Sequence, residues 1–464
     1  MTDEAQLAGR ALARRMGVLG ALFLTLSAET PASSVFVILP GVVEAAGSGA
    51  LIAMAAAGLV ALCMALVYAE LGSTFPSAGG EYAIVGSVLG PAAGFGVLGV
   101  NLFNLLTSTA ALALGVGAYL AAIWPGLADH ATAIGLIAVV LATGVGVLNI
   151  RSSAAVTGAF LIVELVALVA VTGLGVGHPM RPLSGLILHP LMLGHGGALA
   201  GVGAGGIATG VVVGLFAYDG YGNAVYLSEE VRDVRRRLVR AVLWALAVTA
   251  VSELACLIAV LVGTPDLKGL FAAGDDMIST FVVQIGGGWL GRAISAGVAL
   301  AIFNAMIAVV LMSGRQVFAC ARDGMFQGAV GTLLAKVHPR LGSPWPATLL
   351  SGALTAALCL LPLNLLLTLS GAGVSLIYIA LALACLRHGR RGRATAAGWR
   401  LPLWPWPPTA ALVLVLIFSV ASLKDDWQSF AASLVCAAVA AGYYGLVLRG
   451  KEGWRLRGPS VDAP

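Results

Sequence analysis

Charged residues are scarce in this chain of 464 amino acids. They make up 10% of the sequence, whereas 59% of the residues are hydrophobic, and soluble domains carry about a quarter charged residues. This composition excludes an ordinary soluble protein. It predicts one all-α polytopic membrane domain that uses nearly the whole chain.

Several signatures of catalysis and cofactor binding are also missing. The cysteines fall in or beside apolar runs without paired spacing, and the histidines fall in predicted loops or at span ends. The chain has no HExxH, GxSxG or Walker motif, the usual signs of a metalloprotease, a hydrolase or a nucleotide-driven pump. We therefore expect no enzyme activity, no metal site and no organic cofactor.

Apolar runs between polar or Gly/Pro breaks predict twelve transmembrane helices, each near the length of about 20 residues that a bilayer requires. The runs lie near 17–43, 49–71, 91–123, 132–148, 154–176, 204–228, 239–263, 289–321, 346–362, 364–386, 407–423 and 428–448.

The basic residues predict the orientation of these spans. With the N-terminus in the cytoplasm, only four of the 26 basic residues lie outside: Arg181, Lys268, Arg292 and Lys424. Cytoplasmic loops are enriched in Lys and Arg, so both termini are expected in the cytoplasm and the basic clusters act as anchors, with no nucleic-acid partner. Because Arg far outnumbers Lys, a GC-rich bacterium and its inner membrane are favoured.

Two predicted spans carry polar and helix-breaking residues at their midpoints. Span one reads LFLTLSAETPASSVFVILPG, with Glu29 and Pro31 in its middle, and span six carries Asp219 and Gly220 within FAYDGYGN. Proline removes a backbone donor and opens a helix. Interrupted helices at matching positions of two repeats point to a transporter site at the bilayer midplane.

Four carboxylates lie well inside the apolar spans: Glu29, Glu164, Asp219 and Glu253. Such groups face a cavity, pair with another group or hold a proton. A satisfied hydrogen bond between helices is the competing interpretation, left open for Glu29 and favoured for Glu253.

Three stretches resemble the amino acid–polyamine–organocation (APC) superfamily, in its amino acid permease type. They are YAELGSTFPSAGGEYAIV (68–85), FAYDGYGNAVYLSEEVRD (216–233) and SGRQVFACARDGMF (313–326). The resemblance implies a leucine-transporter-type fold of two inverted five-helix repeats with discontinuous helices 1 and 6. The chain then divides into a cytoplasmic N-terminal segment (1–16), repeat one (17–176), an extracellular loop (177–203), repeat two (204–386), a basic cytoplasmic loop (387–406), two further spans (407–448) and a cytoplasmic tail (449–464).

The resemblance also implies which residues bind a substrate. Backbone N–H groups in span one would receive the substrate carboxylate, at Ala32, Ser33 and Ser34, although the two glycines that relatives carry there are absent. The hydroxyls of the two serines can act as replacement donors. The amine would face the carbonyls of Thr30, Phe216 and Asp219, beside Gly220.

Glu164 departs from the family in its charge. Matching the relatives' first span-five lysine to Arg151 places their buried lysine on Glu164, so a cation or a proton can occupy this place. We predict Glu164 as the first coupling candidate, followed by Asp219 and Glu29, and prefer a proton to sodium.

Other acidic residues receive structural interpretations. Glu70 and Glu81 flank the short GSTFPSAGG loop, which is expected to be a cytoplasmic hinge between spans two and three. Glu229 and Glu230 lie near the Arg-rich segment 232–240, where inner-gate ion pairs with groups such as Arg322 and ordinary surface pairs remain equal alternatives.

Together these features predict a secondary active transporter for amino acids or related amines, working by alternating access with proton-coupled symport or exchange. A polyamine or cationic amine exchanger and, in a different class, a membrane-embedded enzyme are the alternatives. The expected partners are a small-molecule substrate and the lipid bilayer, with the chain a monomer or homodimer. The particular amine remains undecided.

Overall fold

The computed structural model describes residues 12, 16–148, 150–194, 196–363, 365–366, 373–390, 398–423, 427–451 and 454–456. Most of the predicted N-terminal segment 1–16 and of the tail 449–464 lies outside the described residues. The same holds for 391–397 of the predicted basic loop.

Within the described residues the chain is mostly helical. The helices are α1 (Val18–Glu29), α2 (Pro31–Ser33, continued by a π-helical turn Ser34–Ile38 and by Leu39–Ala46), α3 (Ala50–Thr74), α4 (Glu81–Leu89), α5 (Pro91–Ile123), α6 (Ala131–Val147), α7 (Ile150–Gly177), α8 (Leu183–Leu188), α9 (Ala204–Ala217), α10 (Val234–Gly263), α11 (Leu267–Ala272), α12 (Met277–Arg322), α13 (Gly328–Leu334), α14 (Trp345–Leu358), α15 (Gly373–Arg390), α16 (Trp406–Ser422) and α17 (Trp427–Tyr443).

Shorter elements join the helices. Four are 3₁₀ turns, at Gly47–Gly49, Pro125–His130, Tyr221–Leu227 and Gly274–Asp276, and one is a π-helical turn at Tyr444–Leu448. Strands β1 (Leu191–Leu193) and β2 (Leu199–Gly201) form an antiparallel hairpin.

The apolar faces of the long helices explain the architecture. Six helical stretches among the described residues are long and apolar enough to cross a bilayer. Large hydrophobic side chains such as Val169, Trp289 and Val420 are about 70% exposed on the outer surface. Lipid can cover such side chains where water would not.

Helix α12 lies at the centre of the packing. It contacts α1, α5, α6, α7 and α14, and α10 packs against α1, α3 and α7. The helices that surround the interrupted segment α1–α2 therefore come from distant parts of the chain.

Two predicted boundaries can be compared with the observed helices. Gly287, with a φ of 80°, interrupts the helical backbone inside α12, so the predicted start of span eight near 289 falls just after this interruption, and residues 277–286 form a separate helical stretch before it. Residues 75–80 connect α3, which ends at Thr74, to α4, which starts at Glu81, so Glu81 flanks this loop as predicted.

Candidate functional site

The first predicted span is interrupted between α1 and α2. Thr30 adopts a left-handed conformation with φ of 45° and ends α1, donating its N–H to the Leu26 carbonyl at 2.8 Å. Pro31 follows as the first residue of α2, a position where its missing N–H is tolerated. The predicted break is therefore present, and it consists of one left-handed residue rather than an extended loop.

The second interruption follows α9, which ends at Ala217. Gly220 has a φ of 130°, and the 3₁₀ turn Tyr221–Leu227 continues the chain. A Cβ on Gly220 would lie 2.7 Å from the Cα of Glu29. Only glycine allows this approach, so the two interruptions are in direct contact.

A hydrogen bond joins the two interruptions. The Ser34 hydroxyl donates to the Ala217 carbonyl at 3.1 Å, a group at the end of α9 that lacks a helical donor. This contact explains why a hydroxyl is useful in span one, although here it binds protein rather than a substrate.

A cavity of about 560 Å³ lies against both interruptions. Its lining includes six of the predicted substrate or coupling residues: Glu29, Thr30, Ser33, Phe216, Asp219 and Gly220. Ala32, Ser34 and Glu164 are not in this lining and are almost fully buried behind it. The carbonyl of Thr30, predicted to face an amine, accepts the Ser34 N–H at 3.0 Å.

The acidic character of this cavity is pronounced. Five carboxylate residues are among its described lining residues and none of those residues is basic; the five are Glu29, Glu81, Asp219, Asp275 and Asp276. Such a wall attracts cations and repels anions.

Asp219 is held by a chain of tyrosines. Tyr378 of α15 donates its hydroxyl to Asp219 Oδ1 at 2.8 Å, and the Tyr221 hydroxyl donates to Tyr378 at 2.9 Å. The ring of Tyr68 packs edge-on against both tyrosines, at centroid distances of 5.8 and 6.2 Å. Nothing in the sequence singled out Tyr68 or Tyr378, because their contact depends on how α3 and α15 pack.

Glu164 of α7 reaches the start of α2. Its Oε1 accepts the backbone N–H of Ala32 at 2.8 Å and the hydroxyl of Thr30 at 3.2 Å. Its Oε2 is buried with no hydrogen-bond partner among the described residues. The predicted coupling residue therefore lies directly at the helix interruption.

Glu29 and Glu253 are buried carboxyl groups whose oxygens make no hydrogen bonds within the described residues. The Ser34 hydroxyl lies near Glu253 but donates elsewhere. Thr249 of α10 lies near Glu29 in the same way, so an interhelical bond at Glu29 or Glu253 stays a prediction. A buried ionised carboxylate without a partner costs several kcal/mol, so these groups favour a proton or a cationic ligand.

Glu81, at the start of α4, also lines the cavity, a role that the sequence did not predict. Tyr68 donates to Oε1 at 3.1 Å, Asn101 Nδ2 donates to Oε2 at 3.1 Å, and the Tyr226 hydroxyl donates to Oε2 as well. Burial raises the pKa of this carboxyl to about 7, while the tyrosine bonds oppose the rise only in part.

The arginine-rich end of the molecule holds paired carboxylates. Arg322 binds Glu229 through two bonds of 2.7 Å, and the Ala78 N–H donates to Glu229 at 2.8 Å. Arg315, itself fully buried, binds Glu230. Of the two alternatives, surface pairing is excluded because all four side chains are buried.

Comparison with known proteins shows which family this chain matches. A family model described as amino acid permease matches residues 16–440. An uncharacterized transporter of Mycobacterium tuberculosis is 34% identical over 75% of this chain and 74% of its own length.

Two further relatives have named substrates. The branched-chain amino acid permease of Bacillus subtilis is 25% identical over 95% of this chain and 94% of its own length. The cationic amino acid transporter 7, chloroplastic, of Arabidopsis thaliana is 25% identical over 81% of this chain and 64% of its own length.

Proposed function

Because the chain belongs to the amino acid permease family, we propose that it is a secondary active transporter that moves amino acids or related amines by alternating access. It is a membrane protein and not an enzyme, as its family and relatives are permeases and transporters. The solute, the coupling and the transport cycle belong to the proposal.

One observation carries the proposal: two interrupted helices touch at Glu29 and Gly220 and line one cavity. Backbone groups freed at such interruptions are tolerated in a membrane only where protein, water or a ligand satisfies them. Paired interruptions of this kind form midplane substrate sites in transporters built from inverted repeats.

The proposed architecture has twelve spans, with the first ten in two inverted five-helix repeats. The interruption between α1 and α2 and the one after α9 then fall on the first helix of each repeat. The distribution of basic residues supports a multi-pass protein of a bacterial inner membrane with both termini in the cytoplasm. The chain acts as a monomer or a homodimer.

The substrate side of the proposal rests on the acidic cavity. The amine would lie near Asp219, Glu29 and the carbonyls of the interrupted helices, where negative charge and carbonyl dipoles favour an ammonium group. The absence of basic side chains among the described lining residues also supports the second candidate, an exchanger of polyamines or other cationic amines.

Coupling would use a proton carried by one of the buried carboxyl groups. Glu164 is the first candidate because it binds the start of α2 directly, and Asp219 and Glu29 follow. A proton that enters or leaves at Glu164 changes a contact of the interrupted helix itself, which links the ion to the helix that must move.

Uptake into proteoliposomes tests the function. The purified full chain, reconstituted with an inward proton gradient, should take up labelled leucine or lysine saturably and should exchange it against the same unlabelled solute inside. Flux without saturation or exchange would indicate a channel. Absence of any uptake for neutral amino acids, cationic amino acids and diamines would refute the proposal.

A further inference from the structure

The start of α2 is an anion-binding position directly behind the cavity wall. Pro31 has no N–H, so Ala32 supplies the first free amide of a helical segment that continues to Ala46. Thr30 and Ser33, on either side, line the cavity. Backbone N–H groups at a helix start attract carboxylates, and a substrate carboxylate would be drawn to this place.

A protein carboxylate already occupies that amide. Glu164 Oε1 lies 2.8 Å from the Ala32 nitrogen and also accepts the Thr30 hydroxyl. Two ionised carboxylates at one amide repel each other strongly in a buried site, so one of them must be neutral or absent.

Among the described residues, no cation is found beside Glu164 to offset a second carboxylate. The titratable groups that interact with Glu164 are Glu29 from α1 and Glu253 from α10, both acidic. The adjacent helix α12 contributes the neutral Asn304 at this level. Any negative charge brought to the start of α2 therefore meets only like charges among these neighbours.

We infer that Glu164 is a specificity-determining residue that competes with the carboxylate of the substrate for the Ala32 amide. This inference rests on the proposed function. While Glu164 is ionised, amines without a carboxylate bind and amino acids are disfavoured. When Glu164 is protonated, the amide is released to the carboxylate of an amino acid, so proton and amino acid bind together.

Matched solute pairs test the competition. Lysine with 1,5-diaminopentane, and leucine with isopentylamine, differ by the carboxylate alone. Their apparent affinities for the purified full chain are measured by thermal shift, since a bound ligand raises the unfolding temperature. The quantity of interest is the ratio of amino acid to amine affinity between pH 5 and 8.

In the unmodified protein this ratio should fall as pH rises, approaching tenfold per pH unit where Glu164 is ionised. In Glu164→Gln the ratio should exceed the unmodified value at least tenfold at pH 8 and should no longer depend on pH. Glu253→Gln is the matched control, because it removes a neighbouring charge that does not touch Ala32, and it should leave most of the pH dependence in place.

A ratio that is the same at every pH in the unmodified protein would overturn the inference, and this result does not depend on how the variants fold. An equal change in Glu164→Gln and Glu253→Gln would also overturn it, since a general field effect would then suffice. Failure of all four solutes to bind any form would instead count against the proposed function.

Discussion

Two sets of buried carboxylates differ in their partners. At the arginine-rich end, Glu229 and Glu230 bind Arg322 and Arg315. Around the interrupted helices, Glu29 and Glu253 make no hydrogen bonds within the described residues, and Asp219 and Glu164 bind only neutral donors in the described contacts. The same residue type is thus used in two ways within one membrane protein.

This difference in partners distinguishes carboxylates that stabilise the fold from carboxylates that are candidates for function. A paired carboxylate is satisfied by the fold and holds neighbouring elements together, here the 229–230 turn, α12 and the segment before α4. A carboxylate without a cationic partner is costly unless a proton or a positively charged ligand reaches it. The cavity provides such access for Glu29 and Asp219.

The largest expected effect comes from breaking the paired set. Arg322→Ala leaves Glu229 buried without its partner and should lower the free energy of unfolding by about 3–5 kcal/mol. Thermal unfolding in detergent measures the change. The exposed Arg240→Ala is the control and should change it by less than about 0.5 kcal/mol; equal effects would show that the pair is not structural.

The pH dependence of stability extends the comparison to Glu81, whose hydrogen-bond donors in the described contacts are neutral. Its pKa is raised from 4.5 to about 7 in the folded protein, so the folded state binds the proton more tightly than the unfolded state. The stability from this proton is present below about pH 4.5 and is lost as pH rises through about 7, about 3 kcal/mol in total. Unfolding temperatures from pH 4.5 to 8 should decline less in Glu81→Gln; parallel curves would contradict this.

Asp219 should matter for binding more than for folding. Asp219→Asn removes the charge that faces an amine but retains an acceptor for Tyr378, so affinity should fall by about 1.5–3 kcal/mol, roughly tenfold or more, with little change in stability. Tyr378→Phe, which removes only a neutral hydroxyl, should cost about 1 kcal/mol. Titration by thermal shift compares the two, and an unaltered affinity in Asp219→Asn would exclude its contact with the solute.

The smallest effect is expected at Glu253. Glu253→Gln breaks no hydrogen bond to a described residue, so stability should stay the same or rise by up to about 1 kcal/mol. Thermal unfolding in detergent measures this change in stability. A loss as large as that of Arg322→Ala would mean that Glu253 has an essential partner.

The sequence predicted the features that depend on local chemistry. The apolar run 91–123 coincides with α5, and the proline at position 31 and the glycine at position 220 marked interruptions that the structure contains. These predictions succeeded because local features decide the conformation there: a long apolar run favours a spanning helix, and proline and glycine favour an interruption.

Features that depend on packing were not predictable in the same way. Tyr68, Asn101 and Tyr378 meet Glu81 and Asp219 only because α3, α5 and α15 surround the cavity. Glu81 was predicted only to flank the GSTFPSAGG loop, and nothing local showed that α4 turns this carboxyl inward. Arg315 was predicted to be one of the cytoplasmic basic residues because of its charge alone, yet it is fully buried against Glu230.

Proton-driven accumulation in Glu164→Gln proteoliposomes tests the central claim most directly. We predict that an inward proton gradient concentrates the solute in the unmodified protein and not in the variant, while exchange of labelled for unlabelled solute persists in both. Full accumulation by Glu164→Gln would contradict the account.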